Sequence, residues 1–343
     1  MRRREFIGFL SASGFACLEA EAQQQGKVYR IGILTPAQSD QTRIFRAFRQ
    51  ALAELGYVEG RNIVIEFRSA HGVSSELSNL AAELVALPVD VVVTDGPAAA
   101  GAAQHRTKRI PIVMATSGID PVALGLVKSL RRPGGNLTGF TLLHRELSEK
   151  RVDLLRTLLP HATAVTVLVN PVPGSDLALE TIRDAARALG LTVSRIDAAT
   201  PEALRALRPA DLQAGAPVIV VADAMFWNNR QTVVSLVGAA GVPALYPERE
   251  YCESGGLISY GAYVPDNFRA AAGYVHRILK GEKPADLPIQ EPVKIELIIN
   301  LKAAKALGIE IPLTLLGRAD AVINEAARLD GAREAPANRY EPA

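Results

Sequence analysis

The sequence predicts an α/β protein built from two successive doubly wound lobes. Apolar strand-like runs alternate with amphipathic helical segments over residues 28–130, and a similar alternation recurs over residues 164–261. Such alternation is typical of parallel sheets whose crossover helices cover both faces. Polar residues follow most of the strand-like runs, and ligands bind at the carboxyl ends of parallel strands. We therefore expect each lobe to present a row of polar strand ends.

The first series consists of four strand–helix units. Val89–Val93 is a continuous β-branched run, which is typical of a strand buried on both faces. Pro97 suits a first helical turn, with Thr94 or Asp95 as the capping residue, and Gly56 suits a helix end. The predicted strands are Val28–Leu34, Ile63–Phe67, Val89–Val93 and Ile110–Ala115, and the predicted helices are Gln41–Leu55, Ser74–Ala86, Ala98–Gln104 and Val122–Leu130.

The second series follows a break at Arg131–Asn136 and the apolar stretch Leu137–Leu142. Its predicted strands are Ala164–Val169, Thr192–Ile196, Val218–Val221, Val242–Leu245 and Leu257–Ser259, and its predicted helices are Glu146–Leu158, Leu177–Leu189, Pro201–Ala206 and Arg230–Ala240. A further helix, Asp266–Leu279, is expected to be capped by Asp266. It is followed by the strand Ile295–Ile299 and the short helix Leu301–Leu307, and residues 333–343 are expected to be disordered.

The composition is that of a globular protein with no large charged surface. The chain has 343 residues, 48% of them hydrophobic, and a net charge of +2, which does not indicate binding to nucleic acid or to a membrane surface. Residues 1–22 resemble an export signal, with basic residues at Arg2–Arg4, an apolar segment at Phe6–Cys17 and a cleavage site at Ala20–Ala22. Arg3–Ile7 also fits the twin-arginine motif, and an ordinary secretion signal is the alternative.

Motifs for catalysis and cofactor binding are not found in the sequence. It has no phosphate-binding P-loop, no G-x-G-x-x-G, no G-x-S-x-G, no H-E-x-x-H and no C-x-x-C, and its five histidines are scattered without ligand spacing. After removal of the signal, Cys252 is the single cysteine; it lies between acidic residues, and we interpret it as a packing residue. We expect no cofactor, no metal and no catalytic residue, and instead a cleft that closes on a ligand and leaves it unchanged.

Six short stretches of the sequence form a recognisable set. They are Gly56–Ile63 (GYVEGRNI), Asp120–Val122 (DPV), Arg132–Gly139 (RPGGNLTG), Gly255–Gly261 (GGLISYG), Ile278–Pro288 (ILKGEKPADLP) and Asn300–Lys305 (NLKAAK). These stretches resemble one family of bacterial ABC-transporter substrate-binding proteins, some members of which bind tryptophan or tyrosine. The resemblance extends in order from about Val28 to Ile323.

This resemblance implies the type I periplasmic-binding fold, in which two Rossmann-like lobes joined by a multi-strand hinge close on a ligand. It implies residues 28–138 plus 260–282 as lobe 1 and residues 139–259 plus 290–325 as lobe 2. It also implies a periplasmic monomer that works with a membrane permease and a cytoplasmic ATPase. The expected ligand is an amino acid or an aromatic acid. A sensory receptor for a membrane signalling protein and an exported α/β enzyme are the alternatives.

Candidate ligand-binding residues follow from the strand ends, and each also has a structural interpretation. Asp223 is the preferred partner for a ligand ammonium group, because a carboxylate at a buried strand end requires a compensating donor. Thr94 and Gly96 could bind a ligand carboxylate at a helix N-terminus or simply cap the helix. Tyr246 and Tyr260 could stack on an aromatic ligand or pack in the hinge. The full set is Thr35, Thr94, Asp95, Gly96, Ser117, Asp120, Asn170, Asp223, Tyr246 and Tyr260. Glu248 is a further strand-end group of the second lobe, and Phe226–Trp227 could form a pocket wall or only cover the lobe surface.

Overall fold

The computed structural model describes residues 27–36, 42–142, 144–172, 175–292 and 294–324. The predicted export signal and the predicted disordered tail lie outside the described residues. Among the described residues, no helix combines the length and the apolar character needed to cross a bilayer.

The described chain forms two parallel-dominated sheets covered by helices. The strands are β1 Tyr29–Thr35, β2 Ile63–Ser69, β3 Val91–Asp95, β4 Ile112–Thr116, β5 Leu137–Gly139, β6 Ala164–Val169, β7 Thr192–Asp197, β8 Val218–Val220, β9 Ala244–Tyr246, β10 Ile258–Ala262, β11 Ile295–Asn300 and β12 Ala321–Ile323. The helices are α1 Arg43–Glu54, α2 Leu77–Ala86, α3 Pro97–Arg106, α4 His144–Leu158, α5 Ser175–Ala188, α6 Pro201–Ala206, α7 Ala224–Asn228, α8 Arg230–Ala240, α9 Arg249–Glu253, α10 Val264–Leu279, α11 Leu301–Ala306 and α12 Leu313–Leu316.

The first sheet has five parallel strands in the order β2-β1-β3-β4-β5. Its strands β1, β3 and β4 alternate between two cores, because successive side chains of a strand point to opposite faces. One core lies between the sheet and helices α1 and α10, and it contains Phe45, Phe48 and Phe268. The other lies under α2 and α3. This double cover is what the apolar runs of the sequence predict.

The second sheet has seven strands in the order β12-β11-β10-β9-β8-β6-β7. All of its pairs are parallel except β10 with β11. The helix–sheet architecture of both lobes confirms the predicted α/β class with two doubly wound units.

Three chain segments connect the lobes. The first follows β5, the second follows β10, and the third precedes β11. The first and third pair with each other, since Gln290 N donates to Gly139 O (2.9 Å) and Thr141 N donates to Gln290 O (2.8 Å). Helix α10 packs on α1 and β4 of the first lobe. Residues 260–262, expected in lobe 1, instead complete β10 in the second sheet, because they pair with β11. The exact domain boundaries stay a prediction.

Two of the predicted helix features are wrong. Residues 122–130 form turns rather than a helix, because Gly125 adopts a left-handed conformation (φ 69°) after a single turn and Lys128 N bonds to Pro133 O. Asp266 does not cap α10, which begins two residues earlier at Val264 and places Pro265 in its first turn. The short helices α7 and α9 were not predicted, because five residues are too few to show a helical period.

Candidate functional site

Each lobe has one point where its strand order reverses. In the first sheet β1 lies between β2 and β3, and in the second sheet β6 lies between β7 and β8. Ligands of doubly wound sheets bind outside the carboxyl ends of the strands at such points. In this protein the strands at the two points end at or just before Thr35, Asp95, Asn170 and Asp223.

A cavity of about 120 Å³ lies between the two reversal points. Both lobes contribute to its walls, so a molecule inside it would contact both. The described residues that line it are Pro36, Ile44, Asp95, Gly96, Pro97, Thr116, Gly118, Leu142, Ala222, Asp223, Ala224, Trp227, Asn228, Glu248, Glu250 and Val264.

Asp95 is the central polar residue of the first lobe's wall. Its two carboxylate oxygens accept hydrogen bonds from the hydroxyls of Thr35 and Thr116, each at 3.0 Å. A register shift after Thr94 brings Thr116 opposite Asp95. Burial raises the pKa of Asp95, and the two hydroxyl donors act in the opposite direction. The hydroxyls of Thr35 and Thr116 therefore fix the carboxyl group of Asp95 beside the point where the strand order of the first sheet reverses.

Helix α3 begins directly beside Asp95. Gly96 is the residue before its first turn, with φ 86°, and Pro97 occupies that turn as predicted. The predicted capping by Thr94 or Asp95 is wrong, since no side chain caps this helix. The carboxylate oxygens of Asp95 instead accept hydrogen bonds from the two threonines, and Thr94 points to the opposite face of β3.

Asp223 is the corresponding residue of the second lobe. Its Oδ1 accepts three hydrogen bonds, from Asn170 Nδ2 (3.0 Å), Met225 N (2.8 Å) and Phe226 N (3.3 Å), so Asp223 also caps α7. Its Oδ2 has no hydrogen-bond partner among the described residues. Burial raises the pKa of Asp223, and its three donors oppose that rise. One oxygen is thus fixed by the protein while the other is left for the cavity.

Two further carboxyl groups, Glu248 and Glu250, reach the cavity from the segment after β9. The Oε2 atom of Glu248 is shielded from solvent and has no hydrogen-bond partner. Burial raises the pKa of Glu248 to about 8; the positive charge of Arg151 opposes this, and Glu250, Asp223 and Asp95 add to it. Burial also raises the pKa of Glu250. The negative charges of acidic groups in both lobes therefore repel one another across the cavity.

Arg151 is a buried cation whose charge acts on Glu248. It is 2% exposed, its Nε donates to Tyr260 O at 2.8 Å, and burial lowers its pKa to about 10. Arg151 does not line the cavity. Its positive charge partly balances Glu248, and its hydrogen bond to Tyr260 O ties α4 to the middle of β10.

The apolar wall of the cavity centres on Trp227, the single tryptophan of the chain. Trp227 packs against the cores of both lobes, and Ile44, Leu142 and Val264 complete the apolar lining. Around the rim, Asn228 Nδ2 donates to Pro36 O (3.2 Å), and Arg43 pairs with Glu253 (3.2 Å) across the two lobes. The lobes are therefore in contact on that side of the cleft.

The structure brings five of the predicted site residues to the cavity or directly behind it. Asp95, Gly96 and Asp223 line it, while Thr35 and Asn170 hold the two aspartates. The structure places the other five elsewhere in the two lobes. Whether any of them touches ligand stays a prediction.

Three of those five lie in the first lobe. Thr94 packs on the α2–α3 side of the sheet, because it pairs in register with Leu34 and Met114, which point that way. Ser117 is buried, and its hydroxyl donates to Ile119 O (2.5 Å). Asp120 is exposed and accepts from Val122 N (2.8 Å), which organises the turn.

The other two are tyrosines of the second lobe. Tyr246 is buried and stacks on Tyr251, with ring centroids 5.0 Å apart. Tyr260 packs beside the core under β10 and β11. Both tyrosine side chains pack in or beside the core of the second lobe, and neither lines the cavity.

Several lining residues lie outside the predicted set of ligand-binding residues. Glu248 follows a strand end, which is the same signal that identified Asp223, and Trp227 lies beyond Asp223 in α7. Glu250, Ile44, Leu142 and Val264 carry no such signal, since their place depends on how the two lobes meet. Arg151 lies in a helical pattern, and nothing local distinguishes it from a surface arginine.

The described residues contain no group of three or more His, Cys, Asp or Glu side chains arranged to hold a metal ion. Cys252 is buried and its Sγ lies 3.7 Å from Ile298 O. Burial raises the pKa of this thiol to about 12, which disfavours the nucleophilic thiolate form at neutral pH. This confirms its predicted packing role, with burial rather than the adjacent acids as the main cause.

The chain is similar in sequence and in structure to known proteins. The chain is 28% identical over 267 residues to a tyrosine-binding protein of Clostridioides difficile, covering 77% of this chain and 76% of that one. It resembles the ABC domain of Streptococcus pneumoniae solved in complex with L-Trp (TM-score 0.79, 28% identity, 86% of this chain and 99% of that one). It also resembles a conserved domain protein of Vibrio cholerae (TM-score 0.80, 27% identity, 86% and 100%).

These similarities confirm the predicted fold. A family model also matches residues 30–323, which is most of the chain. The protein therefore belongs to the family of ABC transporter substrate binding proteins.

Proposed function

We propose that this protein is the receptor of an ABC importer and captures a small amino-acid-like molecule between its two lobes. It would work outside the cytoplasmic membrane, in keeping with the predicted export signal, and deliver its ligand to a membrane permease driven by a cytoplasmic ATPase. The observation that carries the proposal is the cavity at the two reversal points, whose walls come from both lobes.

Closure would follow from the division of the walls between the lobes. Asp95 belongs to the first lobe, while Asp223 and Glu248 belong to the second. A ligand that bridges them makes all of its contacts only when the lobes are together, so binding shifts the equilibrium toward that state. A permease that recognises the two lobes in contact would then distinguish loaded from empty receptor.

The lining favours an amino acid over an aromatic acid. Four carboxyl groups face the cavity, and no Lys, Arg or His side chain lines it among the described residues. An ammonium group would meet acceptors that need a donor, whereas an acid without an ammonium group would bring no positive charge to these carboxyl groups. Trp227 and its apolar neighbours suit an aromatic or aliphatic body. Relatives that are named for tyrosine or solved with L-Trp support this class.

The test begins with purified protein and a library of amino acids and other small metabolites. Trp227 is the only tryptophan, so its emission reports directly on the cavity. A true ligand at a hundred times its Kd should stabilise the protein by about 2.7 kcal/mol and change the emission of Trp227. Native mass spectrometry should recover the same ligand unchanged.

Uptake of the labelled ligand tests the transport half of the proposal. Cells lacking this protein should lose uptake, and a copy carrying Asp223→Asn should not restore it. Glu180→Gln is the matched control, because Glu180 lies on the surface of the same lobe, paired with Arg183. Chemical conversion of the ligand by the protein, or uptake that does not depend on it, would contradict the proposal.

A further inference from the structure

Arg151 is a buried arginine outside the cavity wall. It belongs to α4, and its Nε donates to Tyr260 O in β10 at 2.8 Å. Burial lowers the pKa of Arg151 to about 10, so the guanidinium keeps its charge at neutral pH. The negative charge of Glu248 opposes this fall more than that of Tyr260 does. Because a buried charge is costly without an opposite one, Arg151 and Glu248 depend on each other.

The guanidinium of Arg151 lies beside the backbone that carries Glu248 to the cavity. Pro247 directly precedes Glu248 after β9, and Gly261 belongs to the neighbouring strand β10. A Cβ at Gly261 would lie 3.3 Å from Arg151 Nη2 and would collide with Pro247 O. Arg151 and the carbonyl group of Pro247 therefore both pack on the side of Gly261 where other residues carry a side chain. This close approach requires glycine.

The carboxyl group of Glu248 is held differently from those of the two aspartates. Hydroxyl groups bond both oxygens of Asp95, and three donors bond Oδ1 of Asp223. Glu248 Oε2 is shielded from solvent and has no hydrogen-bond partner among the described residues. The positive charge of Arg151 favours the carboxylate form of Glu248, while Glu250, Asp223 and Asp95 oppose it. Arg151 therefore acts on this group by its charge.

We propose that Arg151 is a positioning residue of the ligand site, which keeps Glu248 charged and in place to accept the ammonium group of the ligand. This inference rests on the proposed function, because it concerns how the same cavity binds an amino acid. Arg151 does not line the cavity, so it acts through Glu248 rather than on the ligand. Its hydrogen bond to Tyr260 O holds the guanidinium at Gly261, next to the segment that it supports.

Substitution of Arg151 tests this role by calorimetry with the full protein. The probe is whichever library amino acid the unaltered protein binds most tightly, starting with L-phenylalanine, L-tyrosine, L-tryptophan and L-leucine. Arg151→Met removes the charge, and at pH 7 it should weaken binding at least about tenfold. Arg151→Lys keeps a charge and should bind within about threefold of the unaltered protein. Arg151→Gln takes the place of Arg151→Met if that variant does not fold.

A double-mutant cycle shows whether Arg151 acts through Glu248. Glu248→Gln alone should weaken binding of the probe at least about tenfold. When Arg151→Met is added to Glu248→Gln, the affinity should change less than about threefold further, because the charge that Arg151 supports is already gone. Independent contributions would instead multiply to about a hundredfold or more.

The pH dependence of binding separates an effect of charge from a merely structural role. Without Arg151 the pKa of Glu248 should rise, so the carboxylate form is scarcer at a given pH. The ratio of affinities between the unaltered protein and Arg151→Met should therefore be largest near pH 6.5 and fall at least about threefold by pH 9. Ionisation of the probe affects both proteins equally and cancels from this ratio.

Arg156→Met is the matched control. Arg156 also belongs to α4 and is half-buried, and its guanidinium donates to the carbonyl oxygens of Pro160, Ala162 and Leu189. It does not line the cavity. Its loss should lower thermal stability, yet it should leave the affinity for the probe within about twofold and the pH dependence of binding unchanged.

Two outcomes would overturn the inference. One is a folded Arg151→Met or Arg151→Gln variant that binds the probe within about threefold of the unaltered protein at pH 7. The other is a loss of affinity that stays constant between pH 6.5 and pH 9 or persists in full beside Glu248→Gln. In both cases, and if the library yields only a ligand without an ammonium group, the receptor function stands while this inference fails. If no library compound binds, the proposed function fails together with it.

Discussion

Ionisation of Glu248 should make the stability of the ligand-free protein depend on pH. Burial raises the pKa of this carboxyl from its ordinary value of 4.5 to about 8. The charged groups that act on it are Arg151, which opposes the rise, and Glu250, Asp223 and Asp95, which increase it. Between about pH 4.5 and pH 8 the folded protein therefore holds a proton that the unfolded chain has lost. Its stability should fall as pH rises through that window and level off above it.

The size of the effect follows from the same shift. Each pKa unit corresponds to about 1.4 kcal/mol, so ionising Glu248 with the lobes in contact costs at most about 5 kcal/mol. Separation of the lobes would hydrate the carboxylate and limit this cost. We therefore expect a loss of about 1–3 kcal/mol between pH 5 and pH 8.5, seen as a Tm decrease of about 1–4 °C for a chain of this size.

Glu248→Gln isolates this contribution. The variant lacks the titrating group but keeps Asp95, Asp223 and Glu250, whose pKa values are raised in the same direction. Thermal unfolding across the pH range should show a shallower slope for Glu248→Gln than for the unaltered protein, while Glu180→Gln should keep the original slope. Identical slopes for Glu248→Gln and the unaltered protein, or stability that rises with pH in this window, would refute the reasoning.

Three other predictions concern the cavity and its frame. Binding of a nonfluorescent ligand should alter the emission of Trp227, and Trp227→Phe should abolish that signal while the calorimetric signal persists. Gly139→Ala should destabilise the protein by about 2–4 kcal/mol in chemical unfolding, because φ is 142° and a Cβ would lie 2.0 Å from Met114 O. Gly238→Ala is the control. It lies at an exposed helix position with open space around it, so this substitution should be neutral or stabilising. Arg43→Gln removes the rim pairs with Glu250 and Glu253, and since half-exposed ion pairs contribute about 0–1 kcal/mol, calorimetry should show an affinity loss of at most about fivefold.

Local periodicity was sufficient for most of the fold. Val91–Asp95 is a strand because β-branched residues follow one another, and α1 is a helix because Ile44, Phe45 and Phe48 recur at helical spacing. The failed helix at 122–130 had the right composition, but Gly125 ended it after one turn. A single glycine in such a pattern does not reveal whether the chain uses its left-handed conformation.

The site was predictable only in part. Asp95 and Asp223 stand at strand ends, and the sequence places both at the carboxyl edge of their sheets. Thr94 stands one residue before Asp95, yet it points to the opposite face, because side chains alternate along a strand and the strand ends at Asp95 rather than at Val93. A strand boundary that is wrong by one or two residues can therefore assign the buried hydroxyl of Thr94 to the cavity in place of the carboxylate of Asp95.

Hydrophobic periodicity and strand-end polarity are local properties, so the amino-acid sequence was enough to predict two α/β lobes, their order along the chain and the polar character of their facing edges. Which polar groups meet depends on the packing of one lobe against the other. The approach of Glu248 to Asp95 and Arg151, and the contact of Trp227 with both cores, join residues far apart in sequence. These approaches depend on how three connecting segments set one lobe against the other, which no local pattern encodes.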